Sequence, residues 1–159
     1  MASPTLLPIL EDILAHLNAL QETLQAEYQA LSDNDRQGIE QAARDKSRLT
    51  AMLDDLEQER VALLREAGLD LDRSGVMAYL GRHQNNSSDP LARTWQKIEQ
   101  LSRECEQQNR VNGIVIDQNR KRTETALNIL QGQNGNTELY SSSGNTVSSS
   151  NRQSIATKA

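Results

Sequence analysis

A chain of 159 residues that is 36% hydrophobic but only 3% aromatic, with no Phe and one Trp, has material for one domain and little for a thick globular core. Its formal net charge of −5 disfavours a nonspecific grip on nucleic acid. The charge is also uneven: residues 1–35 hold six acids and no Lys or Arg, whereas 36–132 carry fifteen of each sign.

Three prolines, 25% charge and abundant Leu, Ala, Gln, Glu and Arg favour long helices whose apolar stripes meet along narrow seams. The start, MASPTLLPILEDIL, lacks a basic region before its short apolar run, which argues against a signal peptide, and no stretch has the length of a membrane span. Cys105 is single, so no internal disulfide forms, and its apolar helix face predicts a buried, reduced thiol. Together these features predict a cytoplasmic protein without membrane insertion.

The first helix is written by Leu10, Ile13, Leu17, Leu20, Leu24 and Leu31, a heptad seam interrupted at Glu27, with Leu14 and Tyr28 widening the stripe. Thr5 is placed to cap it, and Pro8 falls in the first turn, where a missing N–H breaks no bond. The cluster SDND at 32–35 ends it and supplies a cap for the next helix. The second helix continues through Ile39, Ala42, Leu49, Leu53, Leu56, Leu63 and Ala67, and Gly68 stands where a left-handed C-terminal cap is needed. Lys46 and Arg60 intrude on its apolar positions. The first helix offers only acids, Glu27 among them, so both cations are expected to pair across to it while their stems cover apolar surface.

The segment from Leu69 to Asp89 is long for a plain connection. Ser74 followed by Val76, Met77 and Leu80 predicts a short capped helix across one end of the bundle. Asp89 and Pro90 form a cap and first-turn pair that opens the last long helix, Pro90 to Gln131. Leu91, Trp95, Ile98, Cys105, Ile116, Ala126 and Leu130 share its stripe, with Asn109, Asn112 and Asn119 in the gaps. At 1.5 Å per residue this helix runs about 60 Å against roughly 40–50 Å for the first two. With antiparallel connections its end therefore reaches about two turns past the hairpin of the first two. Ala126, Leu127, Ile129 and Leu130 lie on that overhang, and apolar side chains without internal neighbours point to a partner or a second subunit.

The architecture expected is all-α: an elongated antiparallel three-helix coiled-coil-like bundle over 1–132, with a short connecting helix and a polar, flexible C-terminal tail over 133–159. In that tail Leu139 and Tyr140 form one apolar island, suited to docking on a partner or to folding back on the bundle.

Nothing in the pattern points to catalysis. His16 and His83 have no Cys or carboxylate set at ligand spacing, so no metal site is expected. Glu11–Asp12 and Asp54–Asp55 are sequence neighbours that diverge by roughly 100° on a helix and form no facing dyad. None of the eight glycines builds a phosphate loop, and no cofactor is expected. The basic run Arg120, Lys121 and Arg122, with Glu124 beside it, reads as a solvated helix face. The asparagines carry more information, because an amide on a helix seam costs stability while discriminating against wrong register and wrong partners. They fit an internal register device or a partner-selecting one. Gly113, beside them, fits either a close helix approach or a bend.

The order of motifs NRVNGIVIDQNR, then ALNILQGQ, then LYSSSGNT, behind KSRLTAMLDDLEQERVALL and an acidic leucine helix ending near EYQAL, resembles the FlgN family of flagellar type III export chaperones. The resemblance covers most of the chain, with Asn109, Asn112, Gly113, Ile116, Leu127, Leu130, Leu139, Tyr140 and Gly144 on matching positions. It implies a cytoplasmic chaperone that binds the helical C-terminal segment of hook-filament junction (hook-associated) proteins. Such a chaperone holds them soluble and passes them to the flagellar export gate and its associated components. The implied partner-binding set is Asn109, Asn112, Gly113, Ile116, Leu127, Leu130, Leu139 and Tyr140, to which the apolar overhang adds Ala126 and Ile129. The alternative is a self-associating coiled-coil adaptor, a homodimer formed through the same helix end.

Overall fold

The computed structural model describes residues 5–83 and 90–132 of the chain, and the described residues are helical with no strand. Four helices follow in order: α1 (Leu6–Asp33), α2 (Arg36–Glu66), α3 (Arg73–His83) and α4 (Pro90–Leu130). They fall into two units with the boundary inside α4, between Gln118 and Asn119. The tail from 133 onward, with Leu139 and Tyr140, and the expected cap Asp89 lie outside the described residues.

Within the first unit, α1 and α2 form an antiparallel hairpin through a two-residue turn. Asn34 adopts φ 54°, ψ 33°, a left-handed conformation that Asn tolerates, and its N–H closes back on Ala30 O and Leu31 O. Asp35 then caps α2, its carboxylate accepting from Gly38 N at 3.1 Å. At the other end of α1, Thr5 occupies the N-cap position but its side chain makes no capping hydrogen bond. What holds that end is burial, since Leu6 and Leu10 are both fully inside, each worth about 1.5–3 kcal/mol. α2 ends as its sequence requires, with Gly68 at φ +66° and Leu69 N donating to Leu64 O at 2.9 Å.

The connecting segment does contain a helix, two residues earlier than a cap at the serine would place it. Asp72, not Ser74, supplies the cap: its Oδ1 accepts from Ser74 N at 2.9 Å and from the Ser74 hydroxyl at 2.7 Å. The Ser74 hydroxyl, with the Gly75 N–H next, holds the Asp72 carboxyl below its ordinary value. The cap is therefore complete above the ordinary carboxylate range and is lost as pH falls through the lowered folded value. Val76, Tyr79 and Leu80 turn inward, whereas Met77 is exposed, so Tyr79 takes the core position expected of Met77. α3 is tied to α2 by Arg82 Nη1 donating to Ala67 O, and to α4 by the Arg73–Glu99 ion pair.

Gly75 is required for this approach, because a Cβ there would stand 1.6 Å from Asp70 O, which is backbone and cannot swing aside. Gly75→Ala is expected to cost about 1–3 kcal/mol by displacing the α2–α3 connection. Urea unfolding measures the loss, and hydrogen exchange should report it first at α3.

α4 runs parallel to α1. Cys105 Sγ faces Leu17 O at 3.7 Å, and Asn112 Nδ2 bonds Leu24 O at 2.9 Å, a constant offset of 88 residues. One apolar cluster joins all four helices, with Leu6, Leu10, Leu24, Leu64 and Val76 fully buried. Leu64 and Leu101 belong to it although the seven-residue period assigns neither to the seam. Tyr28, assigned to the stripe of α1, is 41% exposed instead.

Candidate partner-binding face

The two breaks in the apolar seams meet. Glu27 is only 3% exposed on α1, and Lys46 Nζ on α2 reaches its Oε1 at 2.7 Å, the cross-helix pair expected from the sequence. Asn112 on α4 completes a knot across three helices. It is 1% exposed and gives both amide N–H groups to α1, to Leu24 O at 2.9 Å and Glu27 Oε2 at 2.8 Å. Its carbonyl oxygen accepts from Gln108 Nε2 at 2.9 Å. Every member of this knot has a partner, the condition under which buried polar groups fix a register. Asn112 is therefore spent inside the bundle.

Arg60 is also buried, but its partner is not on α1. Its guanidinium takes Glu57 one turn back through Nε and Nη2, donates to Leu71 O at 2.9 Å, and lies 5.7 Å from the Trp95 ring centroid. The connection returning from α2 brings an acceptor closer than any acid of α1. This arrangement closes the seam between α2 and α4 at the end near α3.

Farther along, the same seam is open. A groove of about 430 Å³ lies between the helices, lined by Leu20 and Leu24 of α1, Lys46, Ser47 and Thr50 of α2, and Cys105 and Asn109 of α4. Other grooves, one between α1 and α2 and one between α1 and α4, hold none of the expected partner-binding positions. Cys105, Asn109, Gly113 and Ile116 follow one another at spacings of four, four and three, so they share a helix face. Along it burial falls away: Cys105 is inside, Asn109 and Gly113 are exposed, and Ile116 is 44% exposed. Val111 and Ile114, from the VNGIVI run, are exposed beside them.

Gly113 makes no close helix approach, since a Cβ there would meet nothing within 4 Å. Gly113→Ala should accordingly stabilise the free protein by about 1 kcal/mol, read from urea or thermal unfolding. In the second unit, the helical residues from Asn119 to Leu130 are exposed from Arg120 onward. Leu127 is 49%, Ile129 57% and Leu130 82% exposed, and Arg120 pairs with Glu124 at 2.9 Å.

Of the groups considered for chemistry, the side chain of His83 lies outside the described residues. Burial pushes the Cys105 thiol up, with the charge of Glu104 adding to it, so the thiol is held protonated. His16 Nδ1 is engaged at 2.7 Å by the backbone oxygen of Asp12. Among the described residues no cluster of His, Cys, Asp and Glu has metal-binding geometry, and no helix is long and apolar enough to cross a membrane.

Sequence reasoning placed Asn109, Gly113 and Ile116 on one helix but missed the groove beside them. Its far wall comes from Lys46, Ser47 and Thr50, and only Lys46 carried a signal, a cation on an apolar seam.

A family model described as FlgN protein matches residues 1–148. The chain is 29% identical over 140 residues to the Flagella synthesis protein FlgN of Salmonella typhimurium, and equally to that of Salmonella typhi, covering 87% of each chain. A crystal structure assigned as a flagella synthesis protein FlgN from Pseudomonas aeruginosa superimposes with a TM-score of 0.65 at 32% identity. The match covers 82% of this chain and 98% of that one.

Proposed function

The chain belongs to the FlgN family, and from that membership we propose that it is a cytoplasmic flagellar type III export chaperone. In this reading it binds the helical C-terminal segment of hook-associated junction proteins, prevents their premature assembly and delivers them to the export apparatus. One observation carries the proposal. Of the ten large apolar side chains exposed among the described residues, six lie on α4 beyond residue 110: Val111, Ile114, Ile116, Leu127, Ile129 and Leu130. Apolar surface of that density marks a surface meant to be covered.

An amphipathic cargo helix adds to the bundle along the groove and the α4 face of Asn109, Gly113 and Ile116. In the second unit Ala126, Leu127, Ile129 and Leu130 present an apolar surface of their own for cargo, and Leu139 and Tyr140 serve docking at the export gate. Asn112 contributes from inside, by fixing the height at which α4 presents that face.

Sedimentation of the full chain, alone and with the C-terminal segment of a hook-associated junction protein, tests the reading. A one-to-one complex is expected. A homodimer indifferent to the segment would replace the chaperone with a self-associating adaptor.

A further inference from the structure

We propose that Lys46 selects the helix that occupies the groove between α1, α2 and α4. It admits a helix carrying a hydrogen-bond acceptor, a Gln, Glu or Asp side chain, on its inward face, and rejects one whose inward face is wholly apolar. The proposal rests on the chaperone reading and names the chemistry of the segment that reading leaves general.

An ammonium has three N–H groups to place and no acceptor capacity. Lys46 makes one hydrogen bond among the described residues, to Glu27 Oε1, and its side chain is 29% exposed into the groove. Glu27 has nothing more to give, because its other oxygen is held by Asn112 Nδ2 at 2.8 Å and the side chain is 4% exposed.

Among the described residues no second acceptor bonds the ammonium, although Ser47 and Asn109 also line the groove. Leu20 and Leu24 form an apolar floor, and the Cys105 thiol is turned to Leu17 O. Thr50 gives its hydroxyl hydrogen back to its own helix, to Lys46 O and Ser47 O, at 2.9 and 3.0 Å. In the free protein, water serves the two remaining ammonium N–H groups. A helix laid over the groove expels that water. If its inward face is apolar, two N–H groups of a charged donor are buried without acceptors, and if it brings a carboxamide or carboxylate they are satisfied. Such an asymmetry gives selectivity by penalising the wrong partner rather than by strengthening the right one.

The experiment uses the full chain and two amphipathic helical peptides of about six turns. They are identical except for one inward-facing position, Gln in one and Leu in the other, and the junction-protein segment is titrated alongside. Titration calorimetry is expected to show the Gln peptide binding the wild-type chain at least about tenfold more tightly than the Leu peptide. In the double variant Glu27→Gln with Lys46→Met the preference should disappear. The carboxamide introduced by Glu27→Gln keeps a carbonyl oxygen for Asn112, and circular dichroism and thermal melting check the fold. Lys46→Arg, which retains the donors, should keep the preference. Equal affinities of the two peptides for the wild type, or a preference that survives in the double variant, would overturn the role of Lys46. If the junction segment binds and the peptides are not discriminated, only this inference falls. If no helix binds at all, the chaperone reading falls with it.

Discussion

A chain carrying Leu127→Asp and Leu130→Asp is expected to lose at least about a hundredfold in affinity for the junction-protein segment while its helical content and melting temperature stay within a few degrees of the wild type. The two leucines are 49% and 82% exposed, so the free fold has little invested in either. Covering a leucine is worth about 1.5–3 kcal/mol. An aspartate in its place forfeits that and adds a charge that must be desolvated, so two such changes exceed a hundredfold without difficulty. Leu64→Asp is the contrasting control. It is fully buried, and the variant should not fold. Binding is read by calorimetry and folding by circular dichroism. If Leu127→Asp with Leu130→Asp unfolds the chain, those side chains belong to an internal core. If it binds as before, the cargo lies elsewhere.

Helix existence was legible because it is written in local, periodic terms. The seam of α1, the turn and cap within the SDND cluster and the stop at Gly68 all depend on residues within a turn of one another, and all stand where the sequence puts them. The failures share a cause. Thr5, Asp72 and Tyr79 are decided by what the chain meets in three dimensions. Leu6 and Leu10 pin α1 by burial, so its threonine cap goes unused. The turn before α3 presents the Asp72 carboxylate to the N–H groups of Ser74 and Gly75, so the cap falls on Asp72 and not on Ser74. Arg60 illustrates the same limit, because only the folded connection shows that Leu71 O lies nearer than any acid of α1.

The asparagines of α4 show how far a period can be trusted. On a straight helix a seven-residue repeat drifts by about 20° per heptad. Asn109, Asn112 and Asn119 therefore look equivalent in sequence while only Asn112 faces the core. Lys46 and Glu27 were readable as a pair because each interrupts its own seam, and one break can satisfy the other. The groove they help to line was not readable. It arises because the α2–α4 seam is closed at one end by Arg60 against Trp95 and left open beside Asn109, a difference between two stretches with the same period.

Dismantling the polar knot one residue at a time should cost more than dismantling it whole. Lys46→Met leaves the Glu27 carboxylate, 4% exposed, without its cation, and is expected to lower stability by about 3 kcal/mol in urea unfolding. Asn112→Leu removes two donors at once, stranding Glu27 Oε2 and leaving Leu24 O with only the N–H of its own helix, so a loss of similar size is expected. The triple variant Glu27→Leu, Lys46→Met, Asn112→Leu strands none of these groups, because the Leu24 carbonyl keeps the N–H of its own helix. It should recover most of the loss or exceed the wild type, because apolar packing commonly equals or outdoes a buried ion pair. Near-additive losses across the series would refute this, showing that each residue contributes independently rather than through shared burial.

Recovery in the triple variant would also separate two roles that the wild-type knot combines. If stability returns while discrimination between the Gln and Leu peptides is gone, the knot is retained for the groove it shapes and not for the free energy of folding. Three helices could meet at this level on leucines alone. What leucines cannot supply is a fixed height for Asn112 on α1 together with an ammonium that has one of its three N–H groups bonded at the groove wall, and those are the two properties the proposed chaperone needs to present one face of α4 to one kind of helix.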